Sequence, residues 1–237
     1  MNTESSTEEL LHDINKLWSQ SYHGLLSTHS VKYQGYPFGS LLPFCSDTKG
    51  NLLLLISHLA QHTRNLEHDP RCSLTLTEQG DDDVQQLARL TCLAQAEAVN
   101  STAAAERYFR FYPEARRYQK ELNFRFYQLE VKHFYYIGGF GSARWFDPSR
   151  IPLPIPFSTA DEAELLFQLN SNNHDLLKQL LDSNGMPINT AIEAAGIDPY
   201  GLDLRLASGL KRLQFDTSFE DKSAFLKHIS VISNTPP

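Results

Sequence analysis

LLLLISHLAQHTRNLEHDPRCSLTL, from Leu52 to Leu76, decides how this chain is read. Leu52 to Ile56 is an uninterrupted apolar run of strand length, closed by Ser57. A short helical segment follows, carrying His62, Thr63, Arg64 and Asn65. Asp69-Pro70 stops it, and Cys72 to Thr77 is a second strand-like run. A dense group of hydrogen-bond donors therefore stands just past the end of a buried strand. The first N–H groups of a helix and its macrodipole favour an anion there, so the place suits a phosphate or carboxylate. A solvated crossover helix is the alternative reading of the same residues.

Outward from this stretch, the pattern is mostly β. Glu8 to Ser21 reads as an amphipathic helix, with Leu10, Leu11, Ile14, Leu17 and Trp18 on one face. GLLSTHSV, GSLLPFCSD and NLLLLIS are strand candidates separated by turn residues, among them Asp47-Thr48-Lys49-Gly50. Leu87 to Val99 is a long strand. Ser101 is placed to cap a helix through Tyr112, and a second helix follows Pro113. Asn123 to Ile137 alternates as a long or bent strand and runs into Gly138-Gly139-Phe140-Gly141. Most of these connections are too short for parallel crossovers, which argues for an antiparallel barrel-like domain.

Pro148, Pro152, Pro154 and Pro156 mark a boundary, because proline at that density stiffens the chain and blocks regular structure. The expected division is a barrel domain over residues 1–150, a linker over 151–157 and a small α+β domain over 158–237. In the last, Ser158 or Thr159 caps a helix running to about Leu181. Three short strands (Ile188 to Ala195, Leu202 to Ala207, Leu210 to Phe215) and a closing helix from Phe219 complete it.

Composition narrows the function classes. The 237 residues are 41% hydrophobic and carry a formal net charge of -7, so a general nucleic-acid or membrane-surface role is not expected. No apolar run approaches the roughly 20 residues of a bilayer span. Cys45, Cys72 and Cys92 are odd in number and far apart, which fits buried free thiols and a cytoplasmic location. The acidic, polar opening MNTESSTEELLHD does not read as a signal peptide. There is no nucleophile elbow, Walker loop or helical histidine pair with a third ligand in reach. The glycines from Gly138 to Gly141 do not open a helix after a parallel strand, so they are not a dinucleotide fingerprint. Fourteen aromatic residues between Tyr108 and Phe146 serve a core, a subunit interface or the walls of a flat apolar cofactor. Arg107 to Pro113 with Arg116 and Arg117 reads as surface and interface.

GLLSTHSVKYQGYPFGSLLPFCSD, SHLAQHTRNLEHDPRCSL and YYIGGFGSARW together resemble the FMN-binding split-barrel superfamily of pyridoxamine-phosphate-oxidase-like proteins, and within it the HugZ-type haem-utilisation proteins. LNSNNHDLL with AAGIDPYGLDLRLASGLKRLQF is similar to the small α+β domain that often accompanies this barrel. The resemblance implies a six-stranded antiparallel split barrel with peripheral helices, assembled as a homodimer with cofactor sites at the subunit interface. It implies haem as the cofactor, with FMN as the alternative, and an electron donor if the chain is an enzyme. The activity implied is haem degradation with oxygen; flavin-dependent oxidoreduction and cofactor carriage are the alternatives.

For cofactor binding the resemblance points to Ser40, Ser57, His62, Thr63, Arg64 and Asn65. Flavin oxidases of the superfamily usually carry adjacent basic residues where this chain has Gln61 and His62, leaving Arg64 as the permanent charge. Haem relatives take their iron ligand from late in the chain. His174, in the matched C-terminal motif, is the candidate, with His133 and His228 as further possibilities.

Overall fold

The structure is a computed structural model, and it describes residues 7–80, 83–138, 143–151, 157–172, 174–183, 185, 191–215 and 217–233. The chain divides into two compact units, Met1–Leu153 and Pro154–Pro237. No helix among the described residues is long and apolar enough to cross a membrane.

The first unit opens with α1 (Thr7–Gln20), which buries Leu10, Ile14, Leu17 and Trp18 on one stripe. Its strands are β1 (His23–His29), β2 (Pro37–Pro43), β3 (Cys45–Ser46), β4 (Leu52–Ser57), β5 (Arg71–Thr77), β6 (Arg89–Val99), β7 (Phe124–Ile137) and β8 (Ala143–Phe146). Between them lie α2 (Gln61–His68), α3 (Thr102–Phe111) and α4 (Ala115–Leu122). Every pairing is antiparallel, in the order β2-β1-β5-β6-β7-β4-β3, with β8 on β7.

That order closes the sheet. Its two ends, β2 and β3, are separated in sequence only by Phe44, which is buried and donates its N–H to the Tyr22 carbonyl at 3.0 Å. A sheet whose opposite edges are joined by one residue must curl upon itself. Six strands were expected from the sequence, and the sheet has eight segments. Phe44 divides one of the expected strands in two, and Ala143–Phe146 adds a short strand to β7.

Packing explains why β4 is apolar throughout. Leu52, Leu54 and Ile56 belong to the barrel core with Leu26, Leu74, Leu90, Leu129 and Phe134. Leu53 and Leu55 point the other way and are also buried, on the side where α4 packs against β4. A strand covered on both faces has no position for a polar residue. The α3 helix is tied down by its side chains. Ser101 accepts the Ala104 N–H as its cap, the Arg107 Nε donates to the Ser46 carbonyl at 2.6 Å, and the Tyr112 hydroxyl reaches the Phe44 carbonyl at 2.7 Å. Cys45, Cys72 and Cys92 are buried free thiols, and burial pushes the Cys72 thiol up to about 12.

The second unit is a three-stranded meander of β9 (Ile192–Asp198), β10 (Gly201–Leu206) and β11 (Gly209–Gln214) with α5 (Thr159–Asn172), α6 (His174–Ser183) and α7 (Lys222–Ser233). The helical stretch expected to about Leu181 is described as α5 and α6, on either side of residue 173, which lies outside the described residues. The first strand begins at Ile192 rather than Ile188; residues 186–190 lie outside the described residues. The last helix begins at Lys222, because the Asp221 carboxylate accepts the Ala224 N–H and caps it there. Ile151 packs in the barrel core and Phe157 in the core of the second unit. Most of the expected linker, residues 152–156, lies outside the described residues.

Candidate functional site

α2 lodges against β1 and β2 just beyond the end of β4. It draws together most of the residues singled out in the sequence. His62 Nδ1 lies 3.1 Å from the Ser40 hydroxyl. The Thr63 hydroxyl donates to the Ser57 carbonyl at 2.6 Å. Asn65 donates to the Thr28 hydroxyl at 2.9 Å and accepts from the Val31 N–H at 3.1 Å and from Gln61 at 2.8 Å.

These contacts divide the expected set. Thr63 and Asn65 are both 0% exposed and their side-chain polar atoms are engaged inside the chain. They position α2 instead of facing a ligand. Ser57 likewise serves the turn, its hydroxyl accepting the Leu59 N–H. Arg64 is exposed, and no hydrogen bond or ion pair holds its side chain among the described residues. His62 is half-buried; its Nε2 is buried without a hydrogen-bond partner, and burial pushes the imidazole pKa down. Arg64, His62 and Ser40 are thus the members of the expected set left for an incoming group.

A cleft of about 570 Å³ opens on the outer face of the sheet, walled by β1, β5, β6 and β7. It is lined by Leu93, Ser27 and Ser73 over the buried Cys72 and Ala94, with the exposed His29, Arg71 and Lys132 around them. Two local features place these cations. Directly after α2, Arg71 Nη2 donates to Asp69 at 2.6 Å, which fixes the guanidinium and holds the Asp69 carboxyl well below the usual carboxylate range. In β7, the register slips opposite Leu93 and Ala94, which face His133 and Val131. Lys132 is the extra residue of this bulge, so Lys132 and His133 are both exposed. Lys132 also pairs with Glu130 at 2.5 Å.

Beside the cleft runs a row without charge. Leu41, Leu25, Thr75, Thr91, Tyr135 and Trp145 are consecutive partners across β2, β1, β5, β6, β7 and β8. Leu41 is 69% exposed and Trp145 61%, and the Tyr135 and Trp145 rings lie 4.7 Å apart. An uncharged, partly apolar row on a sheet face has the composition of an association surface.

Sequence reasoning missed Arg71, Lys132 and His29. Arg71 stands in the Asp69-Pro70-Arg71 string and was legible there as a charge just past the helix; a bulge at Lys132 leaves no signal in the residue pattern. His174 begins α6, and its side chain lies outside the described residues. His133 is exposed on β7, and the His228 ring lies 5.0 Å from Phe219 in the second unit. Of the glycine string, residues 139–142 lie outside the described residues; a Cβ on Gly138 would come within 2.9 Å of the Tyr136 ring. Among the described residues there is no cluster of three or more metal-ligating side chains.

A curled antiparallel sheet joined through one bent strand, with a short helix beside the join, defines a split barrel. Residues 15–150 match the family described as CREG, beta-barrel, and the chain belongs to that family. It is 33% identical over 134 residues to the non-canonical heme oxygenase HOZ, chloroplastic, of Arabidopsis thaliana, covering 55% of this chain and 41% of that protein. It is 39% identical over 64 residues to heme oxygenase HutZ of Vibrio cholerae, covering 27% of this chain and 36% of that one. The aligned part is thus less than half the length of either relative. Among solved structures, a protein of unknown function from Agrobacterium tumefaciens superposes with a TM-score of 0.79 at 24% identity, covering 98% of both chains. A heme binding protein from Mycobacterium smegmatis superposes at 0.56 and 22% identity, covering 95% of this chain and 98% of that one. Both share the fold.

Proposed function

We propose that this chain is a haem-binding protein that degrades haem with oxygen, acting as a homodimer with the ligand held where the outer sheet faces meet. The observation that carries this reading is the outer-face cleft, lined by Leu93 and serines, with Arg71, Lys132 and His29 around it and an uncharged row alongside. A flat, largely apolar molecule with an anionic edge matches that combination. The relatives named as heme oxygenases support the choice of haem.

The donor set fits haem better than FMN. A dianionic phosphate at the start of α2 would meet Gln61, which is bonded to Asn65, and His62, whose imidazole burial keeps neutral. Arg64 alone would carry a full charge there. Carboxylates at the edge of a haem need less, and Arg71 and Lys132, each also paired with a neighbouring carboxylate, would supply cations for them at the cleft. Bound haem would supply the oxygen chemistry, with electrons from an external donor. This chain's residues would bind and orient it: the cations would hold the anionic edge and Leu93 would cover part of one face.

Hemin titration followed by the Soret band tests the reading. The parent protein is expected to give a saturable Soret shift, and Arg71→Ala with Lys132→Ala to weaken binding at least tenfold, or about 1.4 kcal/mol. Yellow protein as isolated, with no Soret response, would replace haem by FMN. Turnover of bound hemin with a reductant, read as iron release, separates an enzyme from a carrier.

A further inference from the structure

We propose that the β1–β2 loop, residues 30–36, is a stacking platform for the planar ligand, with Tyr33 and Tyr36 as the rings that meet its face. The inference rests on the planar-cofactor reading above and assigns it two further binding residues.

The loop is ordered by its own hydrogen bonds. The Ser30 N–H donates to the Tyr36 carbonyl at 3.0 Å, the Tyr36 N–H to the Tyr33 carbonyl at 3.2 Å and the Tyr33 N–H to the Ser30 hydroxyl at 3.0 Å. Gly35 takes φ +85°, which a side chain would strain. The base is bolted to the barrel, since the Val31 N–H donates to the buried Asn65. Yet Tyr33 is 62% exposed and Tyr36 70%. A loop held this firmly is not displaying its rings by slack. Tyrosine faces offered to solvent on a fixed backbone are a surface for a flat partner.

The loop's position supplies the partner. His29 and Pro37, the strand residues at its two ends, are paired with each other and both line the cleft. The platform therefore springs from the cleft's own wall. Lys32 adds a charge, its Nζ 5.3 Å from the Tyr33 ring centroid. Two rings and an ammonium on a loop rooted in the cleft's wall suit a planar molecule with an anionic edge, a description haem and FMN share. The loop is separate from the uncharged row: Leu25 and Leu41 pair four steps down the hairpin from His29 and Pro37, about 13 Å away.

The test uses the full chain and two double variants, Tyr33→Ala with Tyr36→Ala and Tyr33→Phe with Tyr36→Phe. Hemin is titrated by Soret absorbance and FMN by fluorescence quenching, with light scattering for oligomeric state and a thermal melt for folding. The alanine pair is expected to lose at least tenfold in affinity for whichever probe the parent binds. The phenylalanine pair should stay within twofold, because the ring face is retained. Oligomeric state and melting should not change. Alanine variants that bind within twofold of the parent would overturn the platform while leaving haem binding intact. So would a loss of affinity that tracks a change in oligomeric state, which would make the loop a subunit contact. Binding and loss of FMN instead of hemin would keep the platform and remove the haem reading. A parent that binds neither probe would overturn both.

Discussion

Asn65 is the residue on which the first unit's local geometry turns. Fully buried, it holds β1 through Thr28, the base of the β1–β2 loop through Val31, and its own helix through Gln61. Asn65→Ala leaves the Val31 N–H without its acceptor and takes one of two bonds from the Thr28 hydroxyl, which still donates to the Phe38 carbonyl, at a cost of about 1–3 kcal/mol. The expected result is a lower denaturation midpoint together with weaker hemin binding through the disordered loop. A variant as stable as the parent would mean that water replaces the amide. His62 gives a pH signature of its own. Burial lowers its folded pKa below the usual 6.5, so on acidification the unfolded chain takes the proton first. Stability contributed by the neutral imidazole is whole above the unfolded pKa and is lost as pH falls below it. Urea midpoints between pH 7 and pH 5 should therefore fall more steeply for the parent than for His62→Gln. Equal slopes would show that the imidazole protonates as freely folded as unfolded.

At the scale of elements, the most constrained piece is the meander of the second unit. Arg212 on β11 reaches Asp198 at 2.7 Å and Asp203 at 3.3 Å, all three residues buried. Gly201 lies directly under that guanidinium, and a Cβ there would come within 2.4 Å of Nε. Gly201→Ala would drive Arg212 off its carboxylates. Breaking a buried ion cluster of this kind costs about 3–5 kcal/mol. Loss of hydrogen-exchange protection across β9, β10 and β11 is the expected outcome, and protection like the parent's would show that Arg212 has another resting place. None of this was legible in the sequence, where Asp198-Pro199-Tyr200-Gly201 reads only as a turn. What was legible follows from period and capping: the stripe of α1, the Ser101 cap of α3, the double-sided burial of β4. In the candidate site, His62 and Arg64 could be found because both basic residue types sit on one short helix. Whether Thr63 and Asn65 faced in or out depended on how α2 lies against β1 and β2, which no spacing within eight residues records. Lys132 depended on a slip in strand register, a property of two strands at once.

For the whole molecule, the question is what covers the outer sheet face. Leu41 and Leu25 stand at its β2 edge and Trp145 at its β8 edge, with only the hydroxyls of Thr75 and Thr91 and the Tyr135 ring between. β2 ends the hydrogen-bonded order of the sheet, and its residues are exposed or half-buried throughout. Exposed apolar side chains on an end strand invite association unless a partner already covers them. A second copy is the simplest cover, because a two-fold axis lets one self-complementary patch serve both chains. Leu25→Asp with Leu41→Asp puts two charges into that patch without touching the barrel core, since both side chains point outward. Desolvating each carboxylate on association would cost several kcal/mol, enough to turn a dimer into a monomer at micromolar concentration. Light scattering should then report half the parent's mass, with the thermal melt of the monomer still cooperative. Because the cleft proposed for the ligand lies on the same face, hemin affinity should fall with the mass. A monomer that still bound hemin like the parent would place the ligand wholly within one chain and remove the seam from the function.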